Sequence, residues 1–263
     1  MKRFYRIEYH GSPRHVVEEN STGVWHLVEG EIFGSWNKGA AVPSSSHHIL
    51  SPVTPSKIVA VGLNYKDHAA EVKKPLPAEP LLFLKPSTAV VGPGDPIVIP
   101  EGAGRVDHEA EMGVVIGTTA SGVSEDEASR YVFGITCVND VTARELQAKD
   151  VQYTRAKGFD TFAPIGPCIA TDLPYDSADG LTVEGWVNGT RRQFSSTREL
   201  IFPVAKLIAF ISAVMTLLPG DIISTGTPSG IGPLAPGDRV TIKVQGVGEL
   251  TNPVGLAVNQ RRI

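Results

Sequence analysis

Hydrophobic residues occur along this chain mostly as short runs separated by glycine and proline, which is typical of strands joined by turns. The runs FYRIEYHG and WHLVEGEIFG predict strands in the first 50 residues, and KIVAVG, LLFLK, PIVIP and EMGVVIG predict strands further on. Helical patterns are few: YKDHAAEV, SEDEASRYV, ARELQAKD and a segment that begins near Thr197 and Pro203 and ends before LLPGD. The pattern therefore predicts an α+β fold with a β-rich core.

Polar residues at the helix starts predict how three of these helices are capped. Asn64 is expected to cap the helix YKDHAAEV. Ser124 with Glu127, and Thr142 with Glu145, have the spacing of capping boxes. These pairs predict helices that begin directly after Ser124 and Thr142.

A Pro/Ser-rich segment, VPSSSHHILSPVTPSK, divides the chain into two parts. Such segments are typical of a boundary between folding units. We therefore predict a small β-rich N-terminal domain over residues 1–52 and a main domain over residues 53–263. No internal repeat is visible.

Composition narrows the function classes. The chain has 263 residues and a net charge of −4, without the cluster of Lys and Arg that binding to nucleic acid requires. The longest apolar stretch, LIAFISAVMTLL, is too short to span a bilayer, and the N-terminus lacks the apolar segment of a secretory signal. Cys137 and Cys168 are far apart, which fits a reducing compartment. We expect a cytoplasmic enzyme with no nucleic-acid or membrane partner.

Acidic residues precede the apolar run in VDHEAEMGVVIG. Side chains alternate along a strand, so Glu109 and Glu111 share a face about 7 Å apart. This pair alone also fits an exposed strand end, because exposed acidic residues are common. The strand enters the core at Glu111, however, and two buried carboxylates repel each other unless a cation lies between them. A hard divalent cation bound by oxygen atoms would remove that repulsion.

A third carboxylate, Asp140, follows the apolar run FGITCVND and precedes a helix. It could be an ordinary helix cap, or a third oxygen ligand at the end of a neighbouring strand. Asp107 shares the face of Glu109 and is a weaker candidate ligand. His108 points to the opposite face and is not expected to be a ligand.

Two further groups could act on a substrate. His68 and Glu71 are three residues apart on a short helix and share a face, so the carboxylate could orient the imidazole as a general base. The same pair also fits the polar face of a surface helix. The helix is bounded by Gly62 and by the segment KKPLP, as expected for a hinged lid.

Other polar residues near these motifs have both a functional and an ordinary interpretation. Lys157 precedes GFDTFAPIGP and would stabilise an enolate or carboxylate if it faced a cleft, but it could also be a surface lysine. Arg144 and Gln147 are three apart on a helix and could bind a substrate carboxylate and position water. Thr225 and Thr227 lie in a glycine-rich loop that permits close approach of a substrate, or they end an ordinary strand.

Six motifs taken together resemble the fumarylacetoacetate hydrolase family, in family order from about residue 57 to the end. They are VGLNYKDHAAE, FLKPSTAVVGPGD, DHEAEMGVVIG, CVNDVTARELQ, KGFDTFAPIGP and PGDIISTGTPSGIGP. The first 50 residues resemble the small N-terminal unit of many bacterial members. The resemblance implies the β-rich fold of this family and a homodimer. One departure is His108, where tyrosine is commoner in the family.

The resemblance also implies residue roles. Glu109, Glu111 and Asp140 would bind Mg²⁺ or Mn²⁺, Lys157 would lie in the active site, and Thr227 would contact the substrate carboxylate. In the acylpyruvase and oxaloacetate decarboxylase branch of the family, a lid helix carries a His–Glu pair. His68 and Glu71 match that pair in this sequence.

The resemblance implies a metal-dependent enzyme that acts on a small 2-oxo acid through an enolate. The first expectation is hydrolysis of a C–C bond in acylpyruvate-type substrates, or decarboxylation of oxaloacetate. The alternative is the isomerisation of 2-hydroxyhepta-2,4-diene-1,7-dioate, or the decarboxylation of 5-carboxymethyl-2-oxo-hex-3-ene-1,7-dioate, in aromatic catabolism. A binding protein that retains the fold without catalysis is a third possibility, although all three carboxylates are present.

Overall fold

The computed structural model describes residues 1–20, 22–44 and 47–256. Ser45 and Ser46 of the predicted join, and residues 257–263 of the predicted main domain, lie outside these ranges. The predicted class is confirmed, because strands dominate and helices are few and short. The strands before residue 57 are β1 (Lys2–Tyr9), β2 (Ser12–Glu19), β3 (Trp25–Gly30), β4 (Trp36–Val42) and β5 (Ile49–Leu50).

The strands after residue 57 carry most of the core. They are β6 (Ile58–Gly62), β7 (Leu81–Lys85), β8 (Val90–Val91), β9 (Ile97–Ile99), β10 (Val106–His108), β11 (Ala110–Ile116), β12 (Val132–Asn139), β13 (Thr142–Ala143), β14 (Ala163–Ala170), β15 (Thr182–Val187), β16 (Thr190–Ser196), β17 (Ile222–Ser224), β18 (Gly232–Pro233), β19 (Arg239–Val244) and β20 (Gly248–Leu256).

The helices are short and lie between these strands. The α-helices are α1 (Lys66–Glu71), α2 (Arg144–Lys149), α3 (Thr154–Lys157) and α4 (Val204–Val214), and the 3-10 helices are Ser87–Ala89, Glu125–Tyr131 and Thr197–Glu199. Within the described ranges, the longest helix is α4 with 11 residues, and no helix is both long and apolar enough to cross a membrane.

A large mixed sheet holds the site. Its strands are hydrogen-bonded in the order β4-β3-β2-β1-β14-β12-β11-β17-β6-β7, and β5 and β8 pair with β1 and β14. The N-terminal strands join this sheet through β1, which pairs antiparallel with β14. The division between residues 1–52 and 53–263 as separate folding units stays a prediction.

The central strands are apolar on both faces because both faces are covered. Met112 and Val114 of β11 pack in one cluster with Val183 and Ile242 of the five-stranded sheet β16-β15-β19-β20-β9. Val115, on the opposite face of β11, packs in a second cluster that includes Phe4 of β1. A strand that is buried on both faces excludes charged residues from its middle, so the carboxylates lie only where the strand begins.

Two of the three predicted caps are wrong. Tyr65 is the N-cap residue of α1, and the side chain of Asn64 instead bonds to the backbone of Phe202 and Thr225. Ala143 precedes α2, and the Thr142 hydroxyl donates to the Asp140 carbonyl oxygen over 2.8 Å. For Asn64, tertiary partners replace the local one because the backbone groups that its side chain satisfies lie inside the protein, whereas Thr142 bonds to a carbonyl two residues before it.

The third cap is correct only as a contact between side chains. The Ser124 hydroxyl donates to Glu127 over 3.0 Å, but it caps no backbone N–H, and the segment is a 3-10 helix rather than an α-helix. The fourth helical segment is divided: Thr197 begins a 3-10 helix, and α4 begins after Pro203.

Candidate active site

Three buried carboxylates meet where β11 begins and β12 ends. The two strands pair antiparallel with Glu111 opposite Val138, and the Asp140 N–H donates to the Glu109 carbonyl oxygen over 3.0 Å. This register brings residues that are about 30 positions apart in sequence to the same edge. One oxygen from each of Glu109, Glu111 and Asp140 lies within 4.8 Å of the others. The predicted convergence of these three residues is confirmed.

The environment of the three carboxylates is asymmetric. Burial, together with the charges of Asp140 and Glu109, raises the pKa of Glu111 to about 8. Burial also acts to raise the pKa of Glu109, but the charges of Lys157 and Arg144 outweigh it and hold that pKa below its ordinary value. Glu111 is therefore the member of the set that lacks a cationic partner.

Glu111 is held by neutral donors instead. Its Oε2 accepts hydrogen bonds from the Ser224 hydroxyl over 2.5 Å and from the Gly226 N–H over 2.9 Å. Gly226 has a φ of +100°, and a Cβ there would lie 2.7 Å from the Cβ of Asn64. Only glycine fits this approach, so the loop after β17 can bring its backbone donor to the carboxylate.

Two buried lysines hold Asp140 from both sides. Lys157 at the end of α3 donates to Asp140 Oδ2 over 2.6 Å, to Glu109 Oε2 over 2.9 Å and to the Thr142 hydroxyl over 2.8 Å. Lys85, the last residue of β7, donates to Asp140 Oδ1 and, over 3.2 Å, to the Val141 carbonyl oxygen. Both ammonium groups balance carboxylate charge inside the protein.

Sequence reasoning missed Lys85. The side chain is fully buried, and burial lowers its pKa despite the neighbouring Asp140. The only signal in the sequence was the lysine itself at the end of the strand LLFLK, because lysine is rare in buried strands. Its partner could not be identified because Asp140 lies 55 residues further along the chain.

These residues fit a divalent cation. The donor set consists of hard carboxylate oxygens, which Mg²⁺ and Mn²⁺ prefer, and the three groups are close enough to share one ion. Glu111 lies beside two carboxylates without a cation of its own, and a divalent ion would remove that repulsion. Among the described ranges, this is the one group of three or more His, Cys, Asp or Glu side chains with such geometry.

Arg144 connects this cluster to Asp107. Its Nε donates to Asp107 Oδ2 over 2.9 Å, its Nη2 lies 2.5 Å from Glu109 Oε1, and its Nη1 donates to Gln147 Oε1 over 2.9 Å. Asp107 is also bound by Arg105, with both carboxylate oxygens in use. Asp107 is therefore not part of the carboxylate cluster, in agreement with its weaker standing as a predicted ligand.

The His–Glu pair on α1 has the predicted geometry. His68 Nδ1 lies 2.8 Å from Glu71 Oε2, and because the carboxylate accepts, Nδ1 carries the hydrogen. Glu71 Oε1 also accepts from the Gly230 N–H over 2.9 Å. Helix α1 is thereby connected to the glycine-rich loop by the same carboxylate that contacts the imidazole.

Thr227 is positioned by a residue that sequence reasoning missed. The Thr227 hydroxyl donates to the Ala110 carbonyl oxygen over 3.0 Å and accepts from Gln193 Nε2 over 2.7 Å. Gln193 also donates to the Pro228 carbonyl oxygen, and its Oε1 accepts from the Ala110 N–H. Nothing in the sequence around Gln193, in β16, indicated this role.

His108 is directed away from the carboxylates, as predicted. Its Nδ1 donates to Gln193 Oε1 over 3.0 Å. Burial lowers the pKa of this imidazole. In the glycine-rich loop, the Thr225 hydroxyl donates to the Met112 carbonyl oxygen over 2.8 Å, and of the two loop threonines only Thr227 borders the cavity.

Most of the predicted site residues surround one cavity of about 460 Å³. Eight of the nine predicted site residues border it, and Glu71 lies behind His68. The eight are His68, Glu109, Glu111, Asp140, Arg144, Gln147, Lys157 and Thr227. A base, a carboxylate cluster and two cations thus face the same space, while their functional roles stay predictions.

Comparisons with known proteins identify the family of this chain. The profile of the family Fumarylacetoacetate (FAA) hydrolase C-terminal matches residues 57–255. An uncharacterized protein of Archaeoglobus fulgidus is 52% identical over 225 residues, which cover 86% of this chain and 88% of that protein.

Solved structures share the fold over almost the whole chain. The 2-hydroxyhepta-2,4-diene-1,7-dioate isomerase of Mycobacterium marinum is 40% identical, with a TM-score of 0.90, and the match covers 98% of this chain and all of that one. A maleylpyruvate hydrolase from Sphingobium sp. SYK-6, solved with manganese(II) and pyruvate, is 30% identical, with a TM-score of 0.80, and the match covers 97% of this chain and all of that one. The chain belongs to the fumarylacetoacetate hydrolase family.

Proposed function

We propose that this protein is an enzyme that needs Mg²⁺ or Mn²⁺ and acts on small 2-oxo acids. Its reaction is hydrolysis of a C–C bond in an acylpyruvate-type substrate, or decarboxylation of oxaloacetate. The observation that carries the proposal is the oriented His68–Glu71 pair, which faces the same cavity as the cluster of Glu109, Glu111 and Asp140. The hydrolase structure that holds manganese and pyruvate supports the same chemistry.

The cation and the basic residues have separate tasks in this reaction. When bound to the three carboxylates, the ion supplies a Lewis acid for a 2-oxo acid. Arg144 offers a planar guanidinium beside the cavity to orient the carboxylate of the substrate, and the Thr227 hydroxyl would turn its hydrogen from the Ala110 carbonyl oxygen to that carboxylate. The Lys157 ammonium lies among the carboxylates and stabilises negative charge that develops on the adjacent ketone oxygen.

His68 acts on water. Because Nδ1 donates to Glu71, Nε2 is free to accept a proton from a water molecule that attacks the distal carbonyl carbon. The C–C bond then breaks, and its electron pair passes to the 2-oxo acid fragment as an enolate. That fragment takes up a proton at carbon and leaves as pyruvate, while the distal fragment leaves as a carboxylic acid. Gln147, at the same wall, positions the water.

A second candidate is isomerisation of 2-hydroxyhepta-2,4-diene-1,7-dioate, with the related decarboxylation of 5-carboxymethyl-2-oxo-hex-3-ene-1,7-dioate. It is favoured by the isomerase structure, which matches 98% of this chain at 40% identity. This reaction moves a proton between carbons and needs no attack by water. His68 would then transfer a proton rather than activate water.

Substrate profiling tests the proposal. Purified protein is stripped with chelator, reloaded with Mg²⁺ or Mn²⁺, and assayed with acylpyruvates, oxaloacetate and the dienol dicarboxylate. Turnover of acylpyruvates or oxaloacetate only after metal is restored is the expected result. Turnover of the dienol dicarboxylate alone would establish the second candidate, and no turnover at all would favour a non-catalytic binding protein. Comparing the activities of the Mg²⁺-loaded and the Mn²⁺-loaded protein decides between the two metals.

We further propose that the protein is a homodimer, which rests on its family membership. Light scattering coupled to size exclusion tests this proposal, with twice the chain mass of 28.0 kDa as the expected result. A mass of one chain at micromolar concentration would contradict it.

A further inference from the structure

Lys85 differs from the other cations at the carboxylate cluster because it is separated from the cavity. Its side chain is fully buried at the end of β7, and its ammonium group donates to Asp140 Oδ1 and, over 3.2 Å, to the Val141 carbonyl oxygen. Arg144 and Lys157 border the cavity, whereas Lys85 does not. Any effect of Lys85 on a bound molecule must therefore pass through Asp140.

The three carboxyl groups of the cluster are matched in number by three cationic side chains. The ion pairs join Arg144 to Glu109, Lys157 to Glu109 and Asp140, and Lys85 to Asp140. Within this set of side chains, positive charge therefore equals or exceeds negative charge before any metal binds. A divalent ion that enters the cluster is attracted by the carboxylates, and it is repelled by the cations behind them.

Glu111 shows that this fold can hold a buried carboxyl group without a cation. Its Oε2 accepts hydrogen bonds from the Ser224 hydroxyl and the Gly226 N–H, which are both neutral donors. Burying an ammonium group requires more desolvation than burying a neutral donor. A neutral donor at position 85 could hold Asp140 in the same way, so what lysine adds at this position is its positive charge.

We propose that Lys85, acting through Asp140, weakens binding of the divalent ion and strengthens binding of the anion that the loaded site takes up. The inference rests on the proposed function, in which the metal-loaded protein binds an anionic 2-oxo acid and forms an enolate. A carboxylate that is shared with an ammonium group donates less charge to a metal ion. With the ion present, the cluster has an excess of positive charge, which an anion in the cavity balances. The enolate carries one more negative charge than the 2-oxo acid, so it gains more from this excess.

The experiment measures two binding constants by calorimetry for four proteins. The first is the Kd of Mn²⁺, and the second is the Kd of oxalate with the protein saturated in Mn²⁺, because oxalate is a dianion like the enolate of pyruvate. Lys85→Gln removes the charge but keeps an N–H donor, and Lys85→Met removes both. The control beside wild type is Lys57→Gln, since Lys57 also pairs with a buried carboxylate, that of Asp221, and neither residue borders the cavity.

For Lys85→Gln, we expect Mn²⁺ to bind about 10-fold more tightly and oxalate about 10-fold more weakly, because one positive charge close to both has been removed. The kcat at saturating Mn²⁺ should fall, since the enolate is less stabilised. Lys85→Met should change both binding constants in the same directions, with a smaller gain in Mn²⁺ affinity because Asp140 also loses a donor. Lys57→Gln should bind Mn²⁺ and oxalate as wild type does.

The opposite shifts of the two constants distinguish this role from a purely structural one, because a misplaced Asp140 would weaken binding of Mn²⁺ as well as of oxalate. If the Lys85 variants bind Mn²⁺ no more tightly than wild type, or oxalate no more weakly, the inference is overturned and the proposed function stands. If wild type itself binds no Mn²⁺, the proposed function fails in its metal requirement. Either Lys85 variant is sufficient for the test, provided that its melting curve with Mn²⁺ present shows a cooperative transition.

Discussion

The cavity joins two regions that are built in different ways. The inner region, formed by Glu109, Glu111 and Asp140 with Lys85 and Lys157, is buried and attached to the central strands. The lid region, α1 with the residues that follow it, is a six-residue helix. Non-glycine residues with left-handed φ flank it, at +55° for Leu63 and +54° for Lys73.

The contacts of the two regions differ accordingly. In the inner region, every carboxylate has at least one partner on another strand, helix or loop, and the lysines bind two or more acceptors each. The lid is held to the glycine-rich loop by Glu71 with Gly230 and by Asp67 with Ser229. We infer that the inner region carries the chemistry shared by different 2-oxo acids and that the lid determines which distal group reacts.

The largest expected effect is on the inner region. Asp140→Asn keeps the shape but removes a carboxylate that balances Lys85 and Lys157, and it removes one oxygen donor of the candidate metal site. We expect metal affinity to fall by more than about 100-fold and the free energy of unfolding to fall by about 3 kcal/mol, because buried charges lose their partner.

Calorimetric titration with Mn²⁺ and chemical denaturation measure these two quantities for Asp140→Asn. Asp126→Asn, which changes an exposed carboxylate, is the control. Mn²⁺ affinity within threefold of wild type would remove Asp140 from the metal site.

A substitution in the lid region should slow the hydrolysis of acylpyruvates without changing metal binding. His68→Ala removes the proposed base, so we expect hydrolysis of acylpyruvates to fall by about 10²–10⁴-fold. Decarboxylation of oxaloacetate should fall less, because it needs no activated water. Lys66→Ala, an exposed residue of the same helix, is the control. Steady-state kinetics on both substrates measure the effect, and unchanged hydrolysis would exclude His68 as the base.

A smaller effect is expected at Gln193, which positions the glycine-rich loop between the two regions. Gln193→Leu leaves Thr227, Pro228 and Ala110 without their side-chain partner. We expect the free energy of unfolding to fall by about 1–3 kcal/mol, and KM to rise while kcat changes by less than about threefold.

Gln193→Glu separates the two halves of the amide. It keeps the acceptor for the Ala110 N–H and loses the donors to Thr227 and Pro228, so its KM should rise as in Gln193→Leu, and its stability should fall at least as much because a carboxylate oxygen then faces the Pro228 carbonyl oxygen inside the protein. Gln245→Leu, at an exposed position, is the control. An unchanged KM in both Gln193 variants would show that Thr227 does not depend on this residue for its position.

The smallest effect is the pH dependence of the metal-free inner region. Because the pKa of Glu111 is raised to about 8, the folded protein keeps a proton that the unfolded chain releases above the ordinary glutamate pKa. The proton on Glu111 therefore stabilises the folded state fully below the ordinary glutamate pKa, and this stabilisation is lost as the pH rises through about 8.

In the presence of chelator, the melting temperature of wild type should therefore fall between pH 5.5 and 8.5 relative to that of Glu111→Gln. A loss of about 1 kcal/mol corresponds to about 2–4 °C. Scanning fluorimetry measures the difference between the two proteins. Parallel pH profiles would contradict the raised pKa, and added Mn²⁺ should reverse the fall in wild type.

The sequence by itself determined the features that depend on local periodicity. Alternation in the extended segment that leads into β11 placed Glu109, the residue before the strand, together with Glu111, and helical spacing paired His68 with Glu71. Short apolar runs between turns indicated the β-rich fold. These features were predictable because their geometry depends on residues no more than a few positions apart.

Only the tertiary structure decided which distant side chains meet these local groups. Lys85 reaches Asp140 across 55 residues, Glu71 reaches Gly230 across 159, and Gln193 reaches Thr227 across 34. Asn64 has the sequence context of a helix cap, but its partners come from elsewhere in the fold. The physical reason is that a buried polar group must be satisfied by whatever donor or acceptor the sheet register brings next to it, and that register is a property of the whole fold.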